Sequence, residues 1–279
     1  MKVASKRQIL NRYYILTFVL AVIIPYLSWY FFSGYFEASF IWDLSQTQWS
    51  REEYFRNIFS FQNFVIEAFS LMQAIFPIFV GLAMMPFLQD QRIYSLCCSR
   101  VRSYRRFVIG SIVKHVLCAC TVLYLAYCVL LLIGASILQP VELIYERVLY
   151  SDILGSLFYA DHPIAFLLID GFHKFVICGA VYALFFTSIS FYTRKWYLCI
   201  LIPTVYFFGL DLALTAVSLL FGADLFFLSP VYSIMPDSRT YMGIFFVFLP
   251  LLPPLLFSLL TVGFGLRRSR KRGDVYAVM

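Results

Sequence analysis

The sequence predicts an all-helical integral membrane protein with six spanning helices and both termini on the cytoplasmic side. Three observations predict it: an apolar excess too large for a soluble core, six apolar runs of bilayer length, and basic residues gathered on alternate connections. Of 279 residues, 62% are hydrophobic and 13% are charged. A soluble domain averages about 45–50% apolar and about 25% charged. One core cannot hide that surplus, so it faces lipid.

A helix rises about 1.5 Å per residue and the hydrocarbon layer is about 30 Å thick, so about 20 apolar residues cross it. Six runs qualify, at 13–32, 65–88, 107–138, 164–192, 197–221 and 242–266. Two are longer than needed and are expected to tilt or to extend into the interface. The first lacks a small-residue cleavage site and is longer than a signal-peptide core, so it is expected to be retained. No connection is long enough to build a soluble domain, and 1–279 is expected to form a single transmembrane domain.

Orientation follows from the cations. Lys2, Lys6, Arg7 and Arg12 precede the first run, and Arg92, Arg100, Arg102, Arg105 and Arg106 separate the second from the third. Arg194 and Lys195 follow the fourth, and Arg267, Arg268, Arg270, Lys271 and Arg272 follow the sixth. These are 16 of the 22 Lys and Arg residues, accompanied only by Asp90 and Asp274. The other connections hold Glu37, Asp43, Glu52, Glu53, Glu142, Glu146, Asp152, Asp161, Asp224 and Asp237. The positive-inside rule therefore predicts a cytoplasmic location for both termini and for the 92–106 island.

The net charge of +7 lies beside apolar runs, where it sets topology and meets anionic lipid. No nucleic-acid role is expected. Cys97, Cys98, Cys118, Cys120, Cys128, Cys178 and Cys199 form no CxxC pair and lack zinc-ligand spacing, so they are read as small hydrophobes and free thiols. No metal site is expected.

Three loops face the opposite side. Ser50-Arg51-Glu52-Glu53 fits a capping box, followed by an aromatic stretch suited to a helix in the outer interface. VELIYERVLYSDILGSL predicts a second short amphipathic helix. GADLFFLSPVYSIMPDSRTY is too apolar for free solvation and is expected to dip back into the membrane, where protein must satisfy its backbone.

The island reads as a helix. Arg92, Ser95, Ser99, Arg102 and Arg106 recur at spacings of three and four, and so do Tyr94, Cys97, Val101, Tyr104 and Val108. One stripe is polar and the other apolar, as in a helix lying along the cytoplasmic surface. By pattern alone the arginines serve equally as topology markers.

Six spans, internal termini and a basic helical loop between spans two and three resemble the permease subunit of an ABC-2 type (type V) ABC exporter. In that family an acidic residue after the second span opens a cytoplasmic loop that often carries a Ser-Arg pair; Asp90, Ser99 and Arg100 match those parts. FFLSPVYSIMP before the last span is similar to the family's re-entrant outer segment. The glycine often found after the acidic residue is missing, and Lys114 stands further along than the family's lysine.

The resemblance implies a coupling helix, with Asp90, Arg92, Tyr94, Ser99, Arg100, Arg102, Tyr104 and Arg105 seated in a cleft of a cytoplasmic ATPase. Two ATPases would rock two permeases, the second being another copy or a sister subunit. This chain carries no GxxxxGK[ST] loop, so ATP and Mg²⁺ belong to the partner and no cofactor is expected on the chain itself. The implied location is a bacterial plasma membrane. The 31 Phe and 20 Tyr suit an apolar or amphipathic cargo, such as a hydrophobic or antimicrobial-type peptide or a drug-like molecule.

Ionisable residues within runs are costly and point to function by default. Asp211 lies near the middle of the fifth run, where it either faces a substrate path or makes a structural hydrogen bond. Asp170, His173 and Lys174 have helical spacing and are expected on one face. Either Asp170 and His173 belong to a substrate path or proton relay or, as the favoured reading, the group forms an ion pair with a snorkelling lysine near the outer end. Glu67 is a weaker path residue of the same kind. Pro250, Pro253 and Pro254 are expected to kink the sixth helix.

Two rival readings stay open: a membrane sensor or resistance subunit without transport, and an intramembrane protease. Glu52-Glu53-Tyr54-Phe55-Arg56 falls one residue short of the CAAX-protease pattern EExxxR. His115, His162 and His173 do not supply that family's histidine motifs, and HExxH and GxSxG are absent.

Overall fold

A computed structural model of the chain describes residues 11–31, 51–97, 103–193, 195–222, 225–235 and 241–272. Among these the regular elements are all helical, with no strand. Among the described residues, five helices are long and apolar enough to cross a bilayer, or six if one bent pair forms a single span. The chain is thus a multi-pass membrane protein by length and composition.

The main elements are α1 (Arg12–Ser28), α2 (Arg51–Ile58), α3 (Phe61–Ala74), α4 (Phe76–Ala83) and α5 (Met85–Cys97). They continue with α6 (Tyr104–Ile137), α7 (Pro163–Phe172), α8 (Gly179–Ser190), α9 (Trp196–Phe221), α10 (Ile244–Phe248) and α11 (Leu252–Arg272). A π-helical segment, His173–Cys178, joins α7 to α8, and a 3-10 turn, Leu249–Leu251, joins α10 to α11 at the expected proline cluster.

The second run is not one straight helix. α3 and the helix that follows it are bent by 57°. Pro77 stands in the first turn of α4, where it lacks the N–H that would bond the Gln73 carbonyl and its ring would clash there. Pro86 repeats the interruption between α4 and α5. α2 forms as the capping pattern predicted, although Ser50 lies outside the described residues.

α1 lies along α6 and α3, α8 packs on α11 and α6, and α9 touches α4 and α8. A chain of aromatic rings runs through the middle. Phe69 meets Tyr127 at 4.5 Å between centroids, and Tyr127 meets Phe175 at 5.2 Å. Phe76 then bridges Phe175 and Tyr182 at 6.0 and 5.4 Å. Tilted and edge-on pairs of this kind add about 0.5–1.5 kcal/mol each beyond area burial. Hydroxyls in the helices turn onto their own backbone: Thr17, Thr187 and Thr204 donate to the Tyr13, Ala183 and Ile200 carbonyls. An apolar surrounding offers them no water to bond instead.

The stretch 141–157 departs from expectation. In place of one amphipathic helix it holds the single helical turn Ser151–Leu154, with a second turn, Phe158–Asp161, just beyond it. Its apolar residues Leu143, Val148 and Leu149 are buried, so it closes the bundle end instead of floating on an interface. Gln62 anchors it, its Oε1 accepting from the Ile144 N–H at 2.8 Å. The connection 225–235 tucks inward as its composition predicts, with Ser229, Tyr232, Ser233 and Ile234 all buried.

Candidate functional site

Polar side chains gather at the two ends of the bundle. The first group surrounds the arginine island. Tyr14 of α1 shares a hydrogen bond between its hydroxyl and His115 Nδ1 at 2.7 Å, and His115 of α6 donates from Nε2 to Asp90 Oδ2 of α5 at 3.0 Å. A carboxylate only accepts, so Nε2 carries a proton. Gln91 adds a hydrogen bond from Nε2 to the Ser190 carbonyl at the end of α8, at 3.4 Å. α5 is thereby fastened to three other helices where it leaves the bundle.

The expected coupling residues distribute as follows. Arg92 and Tyr94 lie on the last turns of α5, and Tyr104 and Arg105 open α6. Ser99, Arg100 and Arg102 lie outside the described residues, as does much of the expected helix register. The described parts of the island therefore belong to the ends of two longer helices. Arg105 and Arg106 are exposed in the first turn of α6, which holds no acid. Cations at a helix N-terminus oppose the macrodipole by about 0.3–1 kcal/mol each, and no acid of the same turn offsets them. Exchanging His115 for Phe keeps the volume but removes both hydrogen bonds. The expected loss is about 2 kcal/mol of stability, measured by thermal unfolding in detergent, with Tyr14→Phe costing less because the His115–Asp90 contact survives.

The second group lies at the opposite end. Lys174 Nζ donates to Asp170 Oδ2 at 2.6 Å, and the two residues are 7% and 6% exposed. The expected ion pair forms, but the lysine does not snorkel. It turns into the bundle because Asp170, one helical turn back, lies inside. His173 is buried in the same segment but takes its hydrogen bonds from other partners. Its Nε2 donates to the Ser233 carbonyl at 2.9 Å while Tyr150 donates to Nδ1 at 3.0 Å, which joins the π segment to both connections.

Arg147, from the connection 138–150, completes the group. Its Nε and Nη2 are buried and have no hydrogen-bond partner. Burial pulls the guanidinium below its ordinary value, and the nearby Asp170 carboxylate opposes part of that shift. A guanidinium nevertheless keeps its proton in a protein. Gln73, Glu146, Arg147, Asp170 and Lys174 line a half-open cavity of about 210 Å³, walled on its apolar side by residues such as Phe69.

Two other path residues fall elsewhere. Glu67 is exposed on α3 and lies outside the cavity wall, to which α3 instead contributes Ser70 and Gln73. Asp211 accepts from the Ser229 hydroxyl of the 225–235 connection at 2.5 Å and lies outside the cavity wall. Sequence reading missed Arg147 as a site residue. The available signal was a lone arginine among Val and Leu on the acidic side of the chain. Among the described residues, no group of three His, Cys, Asp or Glu is placed to hold a metal.

The chain matches no family model, no curated protein and no solved structure.

Proposed function

We propose that the chain is the permease subunit of an ABC-2 type exporter, with both termini cytoplasmic in a bacterial plasma membrane. It would pair with a second permease and with two copies of a separate ATPase that binds ATP and Mg²⁺. The observation that supports this reading best is the fastening of α5 to α6, α1 and α8 through Asp90, His115, Tyr14 and Gln91. A push delivered to the island would reach three helices at once, because these contacts leave α5 little freedom to move alone. The exposed Arg105 and Arg106 supply a basic surface for an acidic cleft, which electrostatic complementarity would orient.

In this reading the cargo is apolar or amphipathic, and alternating access moves it between the island end and the opposite cavity. The chain does no chemistry of its own. The test is co-purification from the native host, comparing wild type with Arg100→Glu plus Arg102→Glu. An ATPase is expected with wild type and is expected to be lost from the correctly inserted variant. If wild type brings down no ATPase under gentle solubilisation, the reading falls and a non-transporting membrane subunit takes its place.

A further inference from the structure

We propose that the cavity opposite the island binds the anionic head, a carboxylate or phosphate, of an amphipathic molecule whose apolar part stays outside it. Charge balance is the first reason. Within the buried group Arg147 and Lys174 carry two positive charges and Asp170 one negative charge, leaving one cation in surplus. Glu146 lines the same cavity but is exposed and forms no ion pair with Arg147. An exposed carboxylate is screened by solvent and offsets a buried cation only weakly.

Hydrogen bonding is the second reason. Buried donors are nearly always satisfied, yet Nε and Nη2 of Arg147 have no partner. These two nitrogens lie on one edge of the guanidinium, the edge that grips two oxygens of a carboxylate or phosphate side by side. Lys174 Nζ has three donors and spends one on Asp170, so a second cation stands at the same cavity.

Size is the third reason. Pockets that engulf drug-sized ligands run from about 300 to 1,000 Å³, and this one holds about 210 Å³. It accommodates a head group and leaves the rest of an amphipath against the apolar outer surface. The site stands whether or not the chain drives transport. Under the permease reading it narrows the cargo to anionic amphipaths.

The test uses the purified full-length chain in nanodiscs of phosphatidylcholine, with binding of dodecanoate, dodecyl phosphate and dodecyltrimethylammonium measured by calorimetry. Both anionic probes are expected to bind at least about tenfold tighter than the cationic one. Arg147→Met is expected to weaken dodecanoate binding about tenfold or more, the usual weight of a charge-assisted pair. Arg147→Lys keeps the charge but loses the fork, so it is expected to recover only part, and it serves where the methionine variant does not fold. Glu67→Gln, outside the cavity wall, is expected to change nothing. Nanodiscs containing phosphatidylglycerol separate the two sources of an anionic head. Suppressed dodecanoate binding assigns the site to a lipid headgroup, and unchanged binding assigns it to a soluble amphipath. Equal affinity for anionic and cationic probes, or full anion affinity in a folded Arg147→Met chain, overturns the proposal.

Discussion

Replacing Asp170 by alanine is expected to destabilise the purified chain by about 3–5 kcal/mol, the range for breaking a buried ion pair from one side. Lys174→Met is expected to do less harm. The reason is the third member of the group. Without Asp170, Lys174 and Arg147 are left in a buried setting with no anion between them, and an unpaired buried cation is costly. Without Lys174, Asp170 still has the Arg147 guanidinium nearby, which has two unpartnered nitrogens to offer. Replacing both members of the pair, Asp170→Leu with Lys174→Met, is expected to recover much of the loss, since an apolar pair of similar volume often matches a buried salt bridge. Thermal unfolding of the four chains in one detergent, together with the Arg147→Met background, measures the asymmetry. Equal losses for Asp170→Ala and Lys174→Met would mean that Arg147 does not compensate for the missing lysine.

Gly171→Ala is expected to cost about 2–3 kcal/mol, at the upper end of what overpacking does, despite the helix propensity that alanine adds. A Cβ at this position would overlap the ring of Tyr127. That ring is fully buried, lies between Phe69 and Phe175 at 4.5 and 5.2 Å, and donates its hydroxyl to the Leu167 carbonyl at 2.9 Å. It has nowhere to go. The partner change Tyr127→Leu is expected to cost stability alone but to relieve Gly171→Ala, so the double-mutant cycle has a coupling energy well above the few tenths typical of independent sites. Additive losses would mean that the helices part easily at this contact. Because residue 171 adjoins Asp170, the alanine variant is also expected to weaken anion binding at the cavity.

The limits of sequence reading are clearest at His115. Its partners Tyr14 and Asp90 stand 101 and 25 residues away, and no spacing rule connects them. Their meeting depends on how far α1, α5 and α6 slide and rotate against one another. Arg147 shows the same limit in a loop. Its segment has the composition of a surface helix, but Leu143, Val148 and Leu149 found more apolar contact by closing the bundle end, and the arginine was carried in with them. Asp170 and Lys174, by contrast, were legible as a pair, because an interval of four places two side chains together on any helix.

The sequence by itself determined that the chain is helical and apolar over membrane-spanning lengths, and it located five of the six expected spans to within a few residues. Those properties depend on one-dimensional quantities: an unbroken apolar length set by bilayer thickness, and prolines that remove a bond wherever they stand. Only the tertiary structure decided which polar groups meet, that Glu67 faces out, that Asp211 is held by Ser229, and that Arg147 lies at the cavity beside Asp170 and Lys174. The spans are apolar on nearly every side, so no polar face marks which way each one turns. Packing alone sets that rotation, through contacts such as Gly171 against Tyr127, where a single missing side chain lets two helices approach.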